Sequence, residues 1–175
     1  MFRKRDQTVK HRSSSAKKVP RRISKKKRAP SFVGLEPASA VASHAKRQNP
    51  AKNTAPELIL RRGLKRNGYR FRVNVSRLPG RPDLVFPQQK IAVFCDGDFW
   101  HGRRWILRRA KLAKGHNANY WIAKIEANIA RDKRHAASLR RNGWRVIRLW
   151  EGDIRTDPIG ALKKVSLALK KPADH

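Results

Sequence analysis

Cysteine, acidic side chains and long apolar runs are all scarce in this sequence. The one cysteine, Cys95, leaves no partner for an intrachain disulfide and no thiolate cluster for zinc. No stretch is apolar over the about 20 residues that a membrane-spanning helix needs, and no apolar run follows the charged N-terminus, so a secretory signal is not expected. The composition therefore predicts neither a disulfide-bonded secreted protein nor a membrane protein, and it fits a reducing compartment.

The shortage of acids is matched by an excess of bases, with 44 Lys and Arg against 12 Asp and Glu and a formal net charge of +32. The sequence pI is about 11.8. Such a charge says little about the fold, but it predicts a polyanionic partner, for which nucleic acid is a better candidate than an anionic membrane. A non-catalytic binding protein, for example one associated with ribosomes, would carry the same charge, so charge alone does not separate a binder from an enzyme.

The bases are divided between two regions of different composition. Residues 1–53 carry 16 Lys and Arg against two acids, with few large apolar residues, and we predict a disordered basic tail. A solvated polycation without sequence preference is its simplest function, and a targeting address is the alternative. Residues 54–175 carry 28 Lys and Arg and 10 acids, and their periodic apolar segments predict one folded domain.

The apolar pattern of this domain predicts the order α-β-β-β-α-β-α. Thr54 and Glu57 have capping-box spacing and begin a helix that ends at Gly68. Strands are predicted for "YRFRVNVSRL", for the hairpin "DLVF"-"PQQ"-"KIAVFCD" and for "WRVIRLW". The segment "GDFWHGRRWILRRAKLAKGHNA" is predicted as a loop that can include a short helix, and helical patterns follow at 120–141 and from Asp157. These elements predict an α/β fold with a mixed central sheet flanked by helices.

Three of the scarce acids and a histidine lie within "GRPDLVFPQQKIAVFCDGDFWHG". Asp83 begins one strand of the hairpin and Asp96 ends the next, so strand pairing would bring both carboxylates to one end of the sheet. Carboxylate oxygens suit Mg²⁺, and His101, with an ordinary pKa of about 6.5, suits the removal of a proton from water. With Glu57 on the preceding helix, these residues form a set that could hydrolyse a phosphodiester.

Each of these residues also has a simpler interpretation. Glu57 could serve only the capping box. The acids beside Gly97, and Asp83 after a proline, could be turn residues, and His101 could be a surface histidine. The combination is more informative than any one member.

A second group of signals is aromatic. Phe99 and Trp100 lie in the Arg-rich loop segment, and Trp121 begins the long helix. Aromatic side chains beside arginine can wedge between base steps or stack on bases, although they could equally fill the core beneath the loop. Trp121 also begins a polar stripe, which predicts either phosphate contacts or a solvated face. The other members of this stripe are Lys124, Asn128 and Arg131.

The chain contains, in order, the segments "TAPELILRRGLKRNGYRFR", "LPGRPDLVF", "IAVFCDGDFWHG", "NYWIAKIEANIARDKR" and "NGWRVIRLWE". From Thr54 to Glu151 these segments resemble the very short patch repair (Vsr) DNA mismatch endonucleases. The most specific part is "DGxFWHG" followed by "W..KI..N..RD" and "GW.V...WE". The resemblance implies a restriction-endonuclease-like PD-(D/E)xK fold and an enzyme that uses Mg²⁺ to nick one DNA strand 5′ to a T·G mismatch.

The resemblance also implies roles for individual residues. Asp83 matches the metal-binding aspartate, and the main-chain carbonyl of Cys95 would help to hold the metal, with Asp96 next to it. His101 matches the histidine near the scissile phosphate, and Glu57 matches the glutamate of the first helix. The intercalating aromatics match Phe99 and Trp100, with Trp121 supporting them from the other side.

The sequence departs from the family pattern at a zinc site. Family members typically hold a structural zinc with three cysteines and a histidine, but arginine cannot bind a metal and soft thiolates are missing here, so no structural zinc is expected. We expect Trp105 to fill part of that space, and strict T·G specificity is left open. The usual second acid of such nuclease sites falls at Phe94, where the Vsr family also lacks an acid. The zinc positions are Asp98, Arg103, Trp105 and Gly152.

The sequence therefore predicts a Mg²⁺-dependent endonuclease that nicks mismatched or distorted double-stranded DNA and takes part in mismatch repair. A relative that cuts other DNA in host defence is the alternative among enzymes, and a non-catalytic nucleic-acid-binding protein is the alternative from another class. Retention of Asp83, His101 and Glu57 in one chain favours the enzyme. We expect a monomer on DNA, in the bacterial cytoplasm and associated with the nucleoid, and in this family a cytosine methyltransferase gene is the usual neighbour.

Overall fold

The computed structural model describes residues 29–31, 33–34 and 52–171. Most of the predicted basic tail lies outside the described residues. Within the described residues, no helix combines the length and the apolar character needed to cross a membrane.

The described chain alternates helices and strands in nearly the predicted order. We number the elements along the chain. They are α1 (Ala55–Arg66), β1 (Arg72–Val73), β2 (Leu84–Phe86), β3 (Ile91–Asp96), α2 (Trp105–Leu112), α3 (Ala118–Arg141), β4 (Arg145–Trp150), α4 (Glu151–Thr156) and α5 (Pro158–Lys170).

The strands form one mixed sheet in the order β1-β2-β3-β4. β2 is antiparallel to both β1 and β3, whereas β4 is parallel to β3. The β2–β3 register places Leu84 opposite Val93. The turn between them is closed by a 3.2 Å hydrogen bond from Lys90 N to Pro87 O. Because β3 and β4 run together and β2 runs against them, the start of β2 lies at the same end of the sheet as the ends of β3 and β4.

Both faces of β3 are buried, as its continuous apolar sequence predicts. Ile91 and Val93 pack in a cluster with Leu60 and Leu64 of α1 and with residues of α4 and α5. The intervening Ala92 and Phe94 pack with Leu139 of α3. Because side chains alternate along a strand, helices cover the sheet on both sides. The predicted mixed sheet between helices is confirmed.

Two elements differ from the prediction, and a third agrees with it. β1 covers only two residues, both exposed, and it ends at Val73, because the positive φ of 49° at Asn74 leaves the extended conformation. α2 is the short helix that the prediction allowed within the loop segment; it has eight residues, none of them buried. α4 was not predicted, because six residues are too few to show a helical period.

Candidate active site

Asp83 lies at the end of the sheet where β2 begins and β3 ends. Its main chain pairs with the hairpin, since Asp83 N donates to Val93 O at 3.0 Å, and its side chain reaches across, where Cys95 N donates to Asp83 Oδ2 at 2.7 Å. Burial raises the pKa of Asp83 to about 6, with the charges of Glu57 and Asp96 adding to the effect and the Cys95 hydrogen bond opposing it. Among the described residues, Asp83 forms no ion pair.

Glu57 is buried at the first turn of α1, with 3% of its surface exposed. Its carboxylate accepts hydrogen bonds from Thr54 N at 3.4 Å and Thr54 Oγ1 at 2.9 Å, and Arg61 Nη2 donates to Glu57 Oε2 at 2.6 Å. Glu57 therefore completes the capping box and also acts on Asp83, whose pKa its charge raises. The capping-box interpretation and the active-site interpretation of Glu57 are therefore compatible.

Asp96 is 2% exposed at the end of β3 and is engaged by an arginine from β4. Arg148 Nε and Nη2 donate to the two carboxylate oxygens of Asp96 at 2.5 and 2.6 Å. The same guanidinium lies 5.1 Å from the centroid of the Phe94 ring. A two-pronged pair of this kind fixes both partners and neutralises the carboxylate. Asp96 thus has its charge paired with arginine, and its place in the site is that of a neighbour of His101.

His101 is held by Asp132, a residue that the sequence analysis did not single out. His101 Nδ1 lies 2.5 Å from Asp132 Oδ2, and because an ionised carboxylate can only accept, we assign the proton of this hydrogen bond to Nδ1. Burial alone would raise the pKa of Asp132, but the His101 hydrogen bond and the charges of His101 and Arg148 lower it below its usual value. Arg148 Nη2 is also 3.2 Å from Asp132 Oδ2, so one arginine joins both acids. The only signal of Asp132 in the sequence was the "RD" of the family motif.

A cleft of about 280 Å³ opens beside this histidine between β4 and α3. Its lining combines the two acids and His101 with basic and apolar side chains, and it does not include Asp83 or Glu57. The lining residues are Asp96, His101, Ile129, Asp132, Lys133, Ala136, Arg140, Arg148 and Trp150.

The predicted site residues therefore fall into two neighbouring groups at one end of the sheet. The Asp83 group comprises Asp83, Glu57 and the main chain of Cys95. The His101 group comprises His101, Asp96, Asp132 and Arg148. The charges of both groups act on Cys95, the pKa of whose thiol is raised by burial and then by the nearby carboxylates. The thiol is therefore neutral, and only the main chain of Cys95 is a candidate ligand.

The predicted aromatic wedge residues are in mutual contact. The ring centroid of Phe99 is 5.1 Å from that of Trp100 and 5.7 Å from that of Trp121, and the two tryptophans are 5.9 Å apart. Each of the three side chains is partly buried. Asn128 is 8% exposed, and its Nδ2 donates to Trp100 O at 3.1 Å. Asn128 thus supports the segment that carries Phe99 and Trp100 from inside the protein, although the sequence pattern predicted that it lies on a polar stripe.

The two cations of that stripe have protein partners as well. Lys124 Nζ lies 3.5 Å from Pro30 O, in the short described stretch before the domain. Arg131 Nη2 lies 3.3 Å from Asp132 Oδ1, and the arginine side chain is 46% exposed. The stripe is therefore partly exposed, and a phosphate-contacting role for Lys124 and Arg131 stays a prediction.

The positions that correspond to the family's zinc ligands form an ion-paired contact. Arg103 Nη1 donates to Asp98 Oδ2 at 3.1 Å, and Gly152 N donates to Asp98 Oδ1 at 3.3 Å. Trp105 is the first residue of α2 and is partly buried. In the part of the chain that the structure describes, no three His, Cys, Asp or Glu side chains form a group that could hold a metal ion.

Mg²⁺ makes a smaller demand on the protein than zinc does. It is commonly held by one or two carboxylates, with water and substrate phosphate filling the remaining positions. Asp83 fits this requirement for two reasons. Among the described residues, its Oδ2 accepts a hydrogen bond only from the main chain of Cys95. Burial and the nearby acids also raise its pKa, so a bound cation would stabilise its charged form. The Asp83 carboxylate and the adjacent Cys95 carbonyl are the groups that could hold the ion.

The chain is similar to a family model and to several known proteins. The family model described as "DNA mismatch endonuclease Vsr" matches residues 38–107. The chain is 42% identical over 122 residues to the Type II nicking enzyme V.NmeDIP of Neisseria meningitidis serogroup C, covering 70% of this chain and 81% of the relative. It is 44% identical over 113 residues to V.XorIIP of Xanthomonas oryzae, another Type II nicking enzyme, covering 65% and 79%. It is 34% identical over 116 residues to the DNA mismatch endonuclease Vsr of Escherichia coli, covering 66% and 72%.

These similarities place the protein in a class of enzymes, the nicking endonucleases. The chain belongs to the Vsr DNA mismatch endonuclease family.

Proposed function

We propose that this protein is a Mg²⁺-dependent endonuclease that nicks one strand of duplex DNA at a T·G mismatch or a comparable distortion. The observation that carries the proposal is that one end of the sheet brings together two residues. One is Asp83, a buried acid that forms no ion pair among the described residues, and the other is His101, which is oriented by Asp132. A protein that only binds DNA has no need of either arrangement.

The Asp83 group would hold the metal beside the scissile phosphate. When bound there, Mg²⁺ would offset the negative charge that develops on the phosphate in the transition state. Glu57 lies close enough to raise the pKa of Asp83, and its carboxylate is fixed by Thr54 and Arg61. It would therefore orient water at the metal side without moving during the reaction.

The His101 group would act on the attacking water. With the proton of Nδ1 directed at Asp132, Nε2 can accept a proton from water while the water oxygen forms its bond to phosphorus and the bond to the leaving oxygen breaks. The charge of Asp132 then stabilises the imidazolium that results. Asp132 touches the base and not the substrate, so it is a positioning residue.

The aromatic cluster would recognise the distortion. Phe99 and Trp100 precede His101 directly in the chain, so side chains that enter the base stack would place the scissile strand beside the base. The edge-to-face contact of Phe99 with Trp121 supports the wedge from α3. Partial unstacking costs less at a mismatch than in paired DNA, which gives a physical reason for nicking at distorted sites.

We infer that the protein acts as a monomer.

A second target is supported by the names of the relatives. Those with 42 and 44% identity are named Type II nicking enzymes, whereas the one named a mismatch endonuclease is 34% identical. Nicking of a particular sequence, with or without a mismatch, is therefore the second candidate. This candidate uses the same chemistry and differs only in the feature of the DNA that the aromatic cluster and the basic side chains would recognise.

The experiment that tests the proposal compares nicking of otherwise identical duplexes that are fully paired or carry one T·G pair in varied sequence contexts. Each is incubated with Mg²⁺, with Ca²⁺ and with EDTA. We expect strand-specific nicking of T·G duplex with Mg²⁺ and none with EDTA. Equal nicking of paired and mismatched duplex would support the second target, and failure to cut any duplex with any divalent ion would support a non-catalytic binding protein.

A further inference from the structure

The segment between β3 and α2, residues 97–104, carries the aromatic wedge and the predicted base, and we name it the aromatic loop. Its two ends are joined, since Arg103 N donates to Asp98 O at 3.0 Å. The side chains repeat this connection, with Arg103 Nη1 donating to Asp98 Oδ2 at 3.1 Å. Phe99, Trp100 and His101 all lie between these two residues. The contact therefore closes the loop immediately around the residues predicted to act on DNA.

The same contact fastens the loop to α4. Arg103 Nη2 donates to Asp153 Oδ1, and Gly152 N donates to Asp98 Oδ1 at 3.3 Å. One guanidinium therefore bridges a carboxylate of the loop and a carboxylate of the helix. We name Asp98, Arg103 and Asp153 the clasp.

Gly152 leaves the space that the clasp occupies. A Cβ atom at this position would lie 2.4 Å from Arg103 Nη1 and 2.7 Å from Asp98 Oδ2. Contacts this short would displace the guanidinium or the carboxylate, so the clasp needs a residue without a side chain at the start of α4. A glycine inside a short helix has a cost in stability, and close packing under the clasp gives a physical reason for its presence.

The clasp is exposed enough for salt to screen it. The exposed fractions of the side chains are 26% for Arg103, 30% for Asp98 and 54% for Asp153. Ion pairs at such positions contribute little to global stability and weaken as ionic strength rises. The clasp is therefore better suited to fixing a local geometry than to holding the domain together.

We propose that Arg103, held between Asp98 and Asp153, is a positioning residue that fixes the aromatic loop on α4 and thereby sets the placement of the wedge and of His101 at the scissile phosphate. This inference rests on the proposed function and goes beyond it by adding a salt-sensitive support that lies outside the reacting groups. A displacement of about 1 Å at a catalytic group can cost up to about 10²-fold in rate, so a weak contact can have a large effect there.

The rival explanation is that Arg103 simply contacts DNA phosphate, and the variant Asp153→Asn separates the two. Removing an acid makes the protein more basic, so the rival predicts DNA binding that is as tight or tighter and nicking that does not fall. The clasp predicts a single-turnover nicking rate at saturating T·G duplex that is roughly tenfold lower, with binding unchanged or tighter. Because salt screens the clasp, the ratio of wild-type to variant rate should shrink as NaCl is raised, with saturation checked at each concentration.

The matched control is Glu126→Gln. Glu126 pairs with Arg109 at 3.3 Å, the two side chains are 49% and 57% exposed, and the pair joins α3 to α2 without touching the loop. The substitution changes the net charge by the same amount as Asp153→Asn. Equal nicking rates for the two variants, with wild type active, would overturn the clasp.

A second measurement does not depend on nicking. Amide hydrogen exchange of residues 97–104 in the DNA-free protein should be faster in Asp153→Asn and in Gly152→Ala than in wild type, and unchanged in Glu126→Gln. The amides of His101 and Gly102, which donate to Gly97 O and Phe99 O at 3.1 and 3.4 Å, report the loop directly. Unchanged exchange in both clasp variants would overturn the inference, whether or not the wild-type protein nicks DNA. A wild-type protein that nicks no duplex would separately remove the proposed function.

Discussion

The two groups of the active site balance their charges differently. In the His101 group, Asp96 and Asp132 share Arg148, and Asp132 also pairs with Arg131. In the Asp83 group, Arg61 pairs with Glu57, and Asp83 forms no ion pair among the described residues. Two arginines thus pair with both carboxylates of the His101 group, whereas the one arginine of the Asp83 group pairs with only one of its two carboxylates.

The difference indicates what each group is prepared for. A carboxylate already paired with arginine has its charge balanced and its oxygens occupied, so it can orient a neighbour but has little to offer a metal. A buried carboxylate beside other acids and without a cation is destabilised in its charged form. Binding of a divalent cation would relieve that destabilisation. The chain has 44 Lys and Arg, so the absence of an ion pair to Asp83 among the described residues does not reflect a shortage of bases.

The largest expected effect comes from Asp83→Asn. Loss of the carboxylate that we propose as the metal ligand should reduce nicking of T·G duplex by about 10³-fold, since the charge stabilisation supplied by a metal is worth several kcal/mol. The fold and DNA binding should be kept, because the substitution removes a carboxylate that its neighbours disfavour. Single-turnover nicking assays and DNA titrations check the two parts. An Asp83→Asn protein that nicks as well as wild type would remove the metal assignment.

The next effect tests the coupling within the His101 group. His101→Ala should lower nicking by about 10²–10⁴-fold, and Asp132→Asn should lower it less, because the base remains but is misoriented. In the double variant, the loss of Asp132 should add little, since residues that act as a unit are not additive. If the losses of nicking rate in the two single variants add up in the double variant, Asp132 acts separately from His101.

A smaller effect, on stability and not on chemistry, is expected at Asp96. Asp96→Asn removes one of the two acids that pair with Arg148, which keeps Asp132. Removing one partner of a fully buried ion pair costs about 3 kcal/mol, and the side chain of Arg148 is 27% exposed. The free energy of unfolding in urea should therefore fall by about 2 kcal/mol, whereas Asp83→Asn should not lower it. Equal unfolding free energies for the two variants would show that the charge difference between the groups has no energetic consequence.

Metal binding to the folded protein should appear as a modest stabilisation. At a Mg²⁺ concentration ten times the dissociation constant, the expected gain is about 1.4 kcal/mol. It should occur in wild type and in His101→Ala and be absent in Asp83→Asn. Thermal unfolding with Mg²⁺ and with EDTA measures it without DNA. A gain that persists in Asp83→Asn would place the ion elsewhere.

The smallest effects concern DNA affinity. Lys124→Ala and Arg131→Ala should each make the slope of log K against log salt shallower by about 0.9 if the side chain neutralises one phosphate. Asn128→Ala should leave that slope unchanged, because the buried amide supports Trp100 and carries no charge. Salt titrations of DNA binding check all three. A slope that changes equally in the three variants would contradict the assignment of Lys124 and Arg131 to phosphate contacts and of Asn128 to the support of Trp100.

Much of this protein followed from local sequence. The capping box located α1, apolar alternation and the "PQQ" turn located the β2–β3 hairpin, and that hairpin brought Asp83 and Asp96 to one end of the sheet as expected. These features depend on residues close together in the chain, where period and turn chemistry suffice. The strand predicted around Val73 was too long, because its partner β2 is only three residues long and Asn74 leaves the extended conformation.

The partners of the site acids were decided by tertiary structure alone. Asp132 lies 31 residues from His101, and Arg148 lies 52 residues from Asp96. They meet because β4 pairs parallel to β3 and α3 crosses the same face of the sheet. Composition and motif determined that the chain is a basic nuclease with its acids at one sheet end. Which acid is paired with arginine, and which has no ion-pair partner among the described residues, depends on long-range strand pairing, because it brings together charges that no local pattern relates.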